Sequence, residues 1–230
     1  MIFKLSDEEK WFPDPLSIPK KHRHSDGLYA IGGDLSTERL IEAYSQGIFP
    51  WVAFRSLYVA PGRKRQPWNE IQWYCPMRRF VIFPEEVHVS HSMRTLLNKG
   101  KFTVTFDKDF EGVIGHCSEL RIDEEGAWLG PQMVEAYTAL HGLGYAHSVE
   151  VWEDDKLVGG LYGVALNGAF FGESMFSLVP SASKIALIEL CRQMEQKGGK
   201  FIDCQFETPH LKSMGGRYIS YEEYMELLYN

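Results

Sequence analysis

The sequence predicts an α+β fold, and three consecutive stretches of the chain predict it. Residues 147–174 form apolar strand-like runs around turns at 153–155 and at Asn167-Gly168, which indicates an antiparallel meander. Apolar residues then recur at helical spacing through SASKIALIELCRQMEQKGG, 181–199, and glycines end this helix. A buried strand, FIDCQF at 201–206, is predicted to follow it.

The other elements follow from the same rules. STERLIEAYSQ, 36–46, predicts a short amphipathic helix that Ser36 or Thr37 caps and that GIFPW, 47–51, ends. Further strands and helices are predicted at 79–84, 101–107, 110–120, 131–144 and 220–230. The rhythm of strands and helices resumes near residues 90–100, which predicts a small N-terminal α/β domain, 1–95, and a larger domain, 96–230.

Composition narrows the class of protein. The 230 residues are 44% hydrophobic and 24% charged, which is ordinary for a globular protein. No apolar run approaches the ~18 residues that a membrane span needs, and the first residues lack the apolar core of a secretion signal. The absence of such a run predicts no membrane partner, and the four cysteines, which form no C-x-x-C pair, predict reduced thiols in the cytosol.

Charge is distributed unevenly along the chain. Residues 1–120 carry 16 Lys and Arg against 15 Asp and Glu, whereas residues 121–230 carry 8 against 16. Clusters of cations lie in the first half at 20–23, 63–65 and 78–79 and at Arg94, Lys99 and Lys101. These clusters could bind phosphate groups although the net charge of the chain is −7; solvated surface charge is the alternative.

The stretch FGESMFS, 171–177, places a carboxylate where an apolar strand runs out. Period-two alternation would put Glu173, Met175 and Ser177 on one face, where they could line a pocket for an apolar side chain beside an amine. The alternative is a solvated charge at a strand end.

Asp203 and Gln205 are polar residues within the apolar strand FIDCQF. Alternation would place them on one face, opposite Ile202, where both could act on one substrate. A carboxylate in such a strand is costly unless it is hydrogen-bonded or used, so a satisfied polar pair at a sheet end is the alternative.

Two tryptophans lie in or next to turns and loops, Trp51 after a turn and Trp128 in EEGAWLGP. Loop-borne tryptophan can stack on a nucleobase, and a core or lid position is the alternative. The histidines and cysteines show no metal-ligand spacing, and the chain has no G-x-S-x-G, Walker A or dinucleotide motif.

An ordered set of longer motifs resembles the leucyl/phenylalanyl-tRNA–protein transferases from about residue 26 to the C-terminus. The motifs are GLYAIGGDL, GIFPW, WYCPMRR, GAWLGPQMVEAYTALHGLGYAHSVEVW, LVGGLYGVALNGAFFGESMFS, SASKIALIEL and FIDCQFETPHL. Residues 55–70 look like an insertion. The resemblance implies a GNAT-like (acyl-CoA N-acyltransferase-like) C-terminal domain that uses neither metal nor CoA, in a monomeric bacterial cytoplasmic enzyme.

The resemblance also implies an activity. Members of this family transfer Leu, Phe or Met from aminoacyl-tRNA to the N-terminal Arg or Lys of proteins, which marks those proteins for degradation by the N-end rule. Asp203 and Gln205 match the proposed catalytic pair. The residues that match the surroundings of the transferred amino acid are Phe170, Glu173, Met175, Ser177 and Ile202. Those that match the surroundings of the tRNA 3′-adenosine are Trp51, Trp128 and Tyr137.

The expected chemistry is attack of an α-amine on the aminoacyl ester. Gln205 would orient the amine and Asp203 would accept or relay its proton, or would act only by positioning. Arg94, Lys99 and Lys101 would contact the tRNA phosphates. An acyl-CoA-dependent acyltransferase is the second interpretation, although no Gly-rich turn precedes the helix at 181, and a non-catalytic tRNA-binding module is the third.

Overall fold

The computed structural model describes residues 1–55, 68–119 and 130–230, which divide into two compact units. One unit contains the described part of Met1–Pro76 together with residues 130–136, and the other contains Met77–Glu119 and Tyr137–Asn230. The predicted domains 1–95 and 96–230 stay a prediction. Residues 56–67, with the 63–65 cation cluster and most of the predicted insertion, lie outside the described residues.

The first unit is built on a four-stranded sheet in the order β1-β2-β4-β3. Its strands are β1 (Phe3–Leu5), β2 (Leu28–Gly32), β3 (Phe49–Arg55) and β4 (Trp68–Tyr74). The helix predicted at 36–46 is confirmed as α1 (Thr37–Ser45), with Ser36 Oγ accepting the N–H of Arg39 at 3.4 Å. Gly47 (φ 66°) follows this helix, and Pro50 is tolerated in β3 because β3 is an edge strand.

The second unit is built on a seven-stranded sheet in the order β11-β5-β10-β9-β8-β7-β6. Its strands are β5 (Arg78–Ile82), β6 (Thr103–Phe106), β7 (Ala146–Glu153), β8 (Lys156–Leu166), β9 (Ala169–Ser177), β10 (Phe201–Asp203) and β11 (Arg217–Ser220). Neighbouring strands run antiparallel except β9 and β10, which run parallel because a helix crosses over between them.

Helices lie on both faces of this sheet. The remaining described helices are α2 (His91–Asn98), α3 (Phe110–Glu119), α4 (Pro131–Gly142), α5 (Ala182–Lys197), α6 (Pro209–Ser213) and α7 (Tyr221–Tyr229). One face packs on α5, whose buried side chains join Leu161 and Phe170 in an apolar core. On the other face, Phe110 of α3 and Tyr137 of α4 contact Tyr162 of β8, with ring centroids 5.9 and 5.5 Å apart.

Most of the predicted elements are confirmed. The meander is β7, β8 and β9, and Asn167 (φ 52°) and Gly168 (φ 81°) form the turn of its second hairpin. The long helix is α5, which ends at Gly198 with φ 71°. The elements predicted at 79–84, 101–107, 110–120, 131–144 and 220–230 correspond to β5, β6, α3, α4 and α7. The described fold is therefore a mixture of helices and sheets, as predicted.

The strand predicted over 201–206 is wrong beyond Asp203. Gln205 has a φ of 57°, in the left-handed region that an extended strand cannot include. Cys204 still donates its N–H to the carbonyl oxygen of Phe80 at 2.9 Å, so the segment stays attached to β5 while it turns.

Candidate active site

The candidate site begins where the parallel pair of strands ends. Residues 201–203 of β10 pair with 169–171 of β9, and Asp203 opposite Phe171 is the last pair. Beyond that point β9 continues to Ser177 and is paired only with β8. Carboxyl ends of parallel strands are where open sheets bind ligands, because side chains and loops converge there.

Glu173 lies at a β-bulge two residues beyond this last pair. Gly172 is opposite Gly163 and Ser174 is opposite Tyr162, so Glu173 is the extra residue in the ladder with β8. Its carboxylate accepts a hydrogen bond at 2.8 Å from the hydroxyl of Tyr137, a fully buried side chain. A bulge re-aims side chains, and here it directs a half-buried carboxylate to a partner on α4.

The bulge also changes which residues share a face. Met175 packs against the α5 core together with buried Phe170 and Ile202, on the face opposite to the Tyr137 contact of Glu173. The prediction that Glu173 and Met175 share one face is therefore wrong, because the extra residue shifts the alternation by one. Ser177 is exposed, and its hydroxyl accepts the N–H of Ser183 at 3.2 Å near the start of α5.

Asp203 is buried, with 1% of its surface exposed. Its Oδ1 accepts the backbone N–H of Gln205 at 2.9 Å, and its Oδ2 accepts the hydroxyl of Tyr224 at 2.9 Å. Arg79 Nε lies 3.5 Å from the same Oδ2. Burial raises the pKa of Asp203, while Arg79, Gln205 and Tyr224 oppose the rise because each favours the charged form.

Gln205 is held by its backbone. Its N–H is bound by Asp203, and its carbonyl oxygen accepts the N–H of Phe80 at 3.4 Å. Its half-buried side-chain amide makes no hydrogen bond with the described residues. Asp203 and Gln205 are thus brought together, through a main-chain hydrogen bond and a turn instead of through the predicted alternation along a strand.

The other predicted site residues are spread over the chain. Trp51 is half-buried in β3 of the first unit, with its ring centroid 5.5 Å from that of Tyr74. Trp128 lies outside the described residues. Arg94 and Lys99, at α2 and its C-terminal end, are exposed. Lys101, with its side chain 52% exposed, pairs with Glu153 at 2.8 Å.

Two residues of the site were not predicted in their observed roles. Arg79 belongs to a cluster predicted to bind phosphate, but it is fully buried beside Asp203 and cannot contact a nucleic-acid backbone. Tyr224 had no predicted role. The signal was indirect: a carboxylate inside an apolar strand requires partners, and a cation from a neighbouring strand is the expected one.

Two kinds of feature are absent from the described part of the chain. No three His, Cys, Asp or Glu residues among 1–55, 68–119 and 130–230 are grouped so that they could hold a metal ion. No described helix has both the length and the apolar character to cross a membrane.

Solved structures resemble the chain only weakly. L-PGS from Bacillus licheniformis matches with a TM-score of 0.42 and 9% identity, over 79% of this chain and 54% of that one. An aminoglycoside acetyltransferase from an uncultured soil metagenomic sample matches with a TM-score of 0.33 and 12% identity, over 44% of this chain and 76% of that one.

Sequence comparisons are much closer. The family model described as leucyl/phenylalanyl-tRNA protein transferase matches residues 81–229, and that of its N-terminal domain matches 33–55. Relatives named leucyl/phenylalanyl-tRNA–protein transferase include those of Chromohalobacter salexigens (50% identical over 90% of this chain and 75% of that protein), Nitrosospira multiformis (47%, over 95% and 90%) and Syntrophobacter fumaroxidans (46%, over 99% and 89%). The chain therefore belongs to the leucyl/phenylalanyl-tRNA–protein transferase family.

Proposed function

We propose that this chain transfers Leu, Phe or Met from aminoacyl-tRNA to the N-terminal Arg or Lys of acceptor proteins, which marks them for N-end rule degradation. The observation that carries the proposal is the juxtaposition at the end of β10: buried Asp203 fixes the backbone of Gln205, whose amide is left without a protein partner among the described residues. Membership of the family indicates an aminoacyl-transfer reaction, and we propose that it takes place at the end of β10.

The reaction requires positioning more than an acid or a base. The α-amine nitrogen attacks the carbonyl carbon of the aminoacyl ester, a C–N bond forms, and the ester C–O bond breaks. The proton that the amine gives up ends on the departing ribose hydroxyl. Because the pKa of an α-amine is about 7.7–8.0, a substantial fraction is already the neutral nucleophile near pH 7. Alignment of the reactants can therefore supply much of the acceleration.

In this proposal Gln205 orients the amine and Asp203 acts through Gln205. The carboxylate of Asp203 is 1% exposed, and both of its oxygens already accept hydrogen bonds from protein donors. That burial favours a positioning role for Asp203 over direct removal of the proton from the amine.

The transferred side chain is assigned to the α5 side of the sheet. Phe170, Met175 and Ile202 all belong to or pack against the α5 core, and Met175 can adapt its shape to different apolar groups. Such walls suit Leu, Phe and Met, whereas a second substituent at Cβ in Val or Ile would collide near the ester. A misfit of this size is worth about 1–3 kcal/mol, or tens to hundreds of fold in rate.

The finer structural assignments belong to the same proposal. A GNAT-like fold for the catalytic domain is supported by the antiparallel β7–β9 meander followed by α5 and parallel β10. Three expectations stay predictions. They are the domain bounds 1–95 and 96–230, a monomeric state in the bacterial cytoplasm, and contacts of the tRNA 3′ end with Trp51, Trp128 and Tyr137.

One mixing experiment tests the activity. The purified chain is incubated with Phe-, Leu-, Met- or Val-tRNA and with peptides that begin with Arg, Lys or Ala, and the products are identified by mass spectrometry. We expect Phe, Leu and Met to be added to the Arg and Lys peptides only, with transfer of Val at least tens of fold slower. Binding of the tRNA without product would indicate a tRNA-binding module, and acetyl transfer from acetyl-CoA to the same peptides would indicate the acyl-CoA interpretation.

A further inference from the structure

Three segments of the chain converge on the carboxylate of Asp203. Tyr224 from α7 and Arg79 from β5 approach Oδ2, and the Gln205 N–H from the following turn approaches Oδ1. The catalytic pair is thus held in part by the C-terminal helix, which contributes a side chain from a segment distant in sequence.

Tyr224 is itself rigidly placed. Its side chain is fully buried, and its ring lies 5.2 Å from Phe201 and 6.4 Å from Tyr221, measured between centroids. The guanidinium of Arg79 lies 4.7 Å from the centroid of the Tyr224 ring, so the cation contacts both the carboxylate and the aromatic face. α7 starts at a Ser220 cap and directs this tyrosine to the end of β10.

We infer that Tyr224 and Arg79 are positioning residues for the transfer reaction, which fix Asp203 so that it in turn fixes the backbone of Gln205. The inference rests on the proposed function of the Asp203–Gln205 pair. In this way α7 and the buried guanidinium of Arg79 would support catalysis without touching the substrate.

The physical need arises from the backbone of Gln205. A non-glycine residue in the left-handed region is disfavoured and persists only when its surroundings hold it there. A charged carboxylate is a stronger acceptor for the Gln205 N–H than a neutral carboxyl group, so the turn is held best while Asp203 is ionised. The hydrogen bond from the Tyr224 hydroxyl and the positive charge of Arg79 both favour that ionised form inside the protein.

Few other charged or titratable groups of the described residues face Asp203. β9 presents apolar Phe171 opposite it, β5 presents Arg79, and α7 presents Tyr224. Cys204 is the next residue in sequence. Burial raises the pKa of the Cys204 thiol well above its usual value, so Cys204 stays neutral near pH 7. Removal of the Tyr224 hydroxyl should therefore raise the pKa of Asp203, because one donor to the charged form is removed.

The test compares Tyr224→Phe with the wild-type enzyme from pH 6 to 8.5. We expect kcat to fall by about tenfold at pH 6.5 and the ratio of variant to wild-type kcat to recover as the pH rises, with KM for tRNA and peptide little changed. Tyr221→Phe, the same change at a buried position of the same helix, is the control and should keep a flat ratio. A flat ratio for Tyr224→Phe, with kcat near that of the wild type, would overturn the inference.

A second variant keeps the test decisive if Tyr224→Phe folds poorly. Arg79→Lys retains a cation near Asp203 and should keep more transfer activity than Arg79→Met, with the difference concentrated in kcat. Equal kcat for these two variants would also overturn the inference. If the wild-type chain itself transfers no amino acid, the proposed function is wrong. If the wild type is active and the Tyr224 and Arg79 variants keep its kcat, only the positioning roles are wrong.

Discussion

Glu173 is the extra residue of the β9 bulge, and its carboxylate is hydrogen-bonded to a phenol. The half-buried carboxylate accepts the hydroxyl of Tyr137, and the two side chains come from different elements, β9 and α4. We expect the same carboxylate to bind an amine or hydroxyl of a bound substrate. This arrangement distinguishes Glu173 from a solvated charge at a strand end, the alternative that its sequence position allowed.

Glu173→Gln should impair transfer far more than folding. An amide oxygen can still accept the Tyr137 hydroxyl, so the melting temperature should change by no more than about 2–3 °C, whereas kcat/KM should fall tenfold or more as the charge is removed. Tyr137→Phe is the matched change on the partner, and a double-mutant cycle measures their coupling. Wild-type kinetics for Glu173→Gln would show that its charge has no part in transfer.

Two substitutions of Gln205 distinguish the effect of its backbone conformation on stability from the effect of its side chain on transfer. Gln205→Gly and Gln205→Ala both remove the amide and should reduce transfer equally, by tenfold or more. Glycine adopts a φ of 57° freely, so Gln205→Gly should exceed Gln205→Ala in free energy of unfolding by up to about 1 kcal/mol. Denaturant titrations and transfer assays check the two effects, and full activity in either variant would remove Gln205 from the mechanism.

At this scale the sequence predicted which residues matter better than how they are arranged. An ionisable residue in an apolar strand is an anomaly that the sequence pattern alone reveals, and both Glu173 and Asp203 were found in this way. The bulge and the left-handed turn could not be predicted, because period-two alternation presumes an uninterrupted ladder. Tyr224 was missed since its only distinguishing feature is a partner distant in sequence.

Among the elements, β6 and β7 are joined at one end by a charged pair. Asp107 follows β6 with a φ of 55°, and its carboxylate accepts the N–H of Ser148 at 2.9 Å and binds His147 Nδ1 at 2.8 Å. Hydrogen bonding to Asp107 raises the pKa of His147 despite its partial burial. Burial opposes ionisation of Asp107, but His147 and Ser148 outweigh it and lower the pKa of that carboxyl group.

This pair should make stability depend on pH in a defined direction. A raised histidine pKa stabilises the fold below its unfolded value of about 6.5, and the contribution disappears as the pH rises through the folded value. The melting temperature of His147→Gln should therefore be lower than that of the wild type at pH 6 and close to it at pH 8.5. The corresponding difference in free energy of unfolding should stay below about 1 kcal/mol, since both side chains are 38% exposed.

Asp107→Asn is the control for this effect. In that background His147→Gln should give the same small change at both pH values, because neither His147 nor His141, whose Nδ1 lies 3.9 Å from Asp107, would then face a carboxylate at this position. An equal destabilisation at pH 6 and 8.5 in the wild-type background would contradict the assigned pair.

Elements with strong local signals were predicted well and the others were not. The Asn167-Gly168 turn and the helical period of α5 are specified within a few residues, which is why both are confirmed. β1, β2 and β11 have no such signal, since each is a short strand whose existence depends on a partner distant in sequence. The end of β10 was likewise set by tertiary contacts.

For the whole molecule, the uneven distribution of charge suits two different tasks, recognition of the esterified amino acid and contact with the tRNA phosphates. The half of the chain that contains Glu173 and Asp203 is strongly acidic, whereas Arg94 and Lys99 are exposed cations from the more basic half. Phosphate contacts fix register and carry no direct sequence information. We therefore propose that Arg94, Lys99 and Lys101 contact tRNA phosphates and leave identity to the esterified side chain.

Neutralising Arg94, Lys99 and Lys101 together to Gln should raise KM for several aminoacyl-tRNAs alike. The slope of log affinity against log salt should fall by about 0.7–0.9 for each tRNA phosphate that the protein no longer neutralises, with Lys101 contributing least because Glu153 already pairs with it. Transfer from a minimal aminoacyl-adenosine donor should be little changed.

Arg192, Lys212 and Lys156 serve as control cations from the acidic half, and their joint neutralisation should leave the salt slope unchanged. If the minimal donor suffers as much as the tRNA when Arg94, Lys99 and Lys101 are neutralised, these cations support the fold or the active site instead of the tRNA body.

The bulge at Glu173 is also the place where β9 can change in length. Gly172 is opposite Gly163 and Ser174 is opposite Tyr162, so the residues on either side of Glu173 are already in the register of an uninterrupted ladder. In that register Met175 lies toward α5 and Phe176 stacks on His116 of α3, with ring centroids 4.9 Å apart. Deleting Glu173 would therefore close the ladder and leave both side chains on their present faces. A residue inserted elsewhere in β9 would need a second bulge, or it would turn the rest of the strand over. Single-residue length variation in β9 should therefore be confined to the bulge.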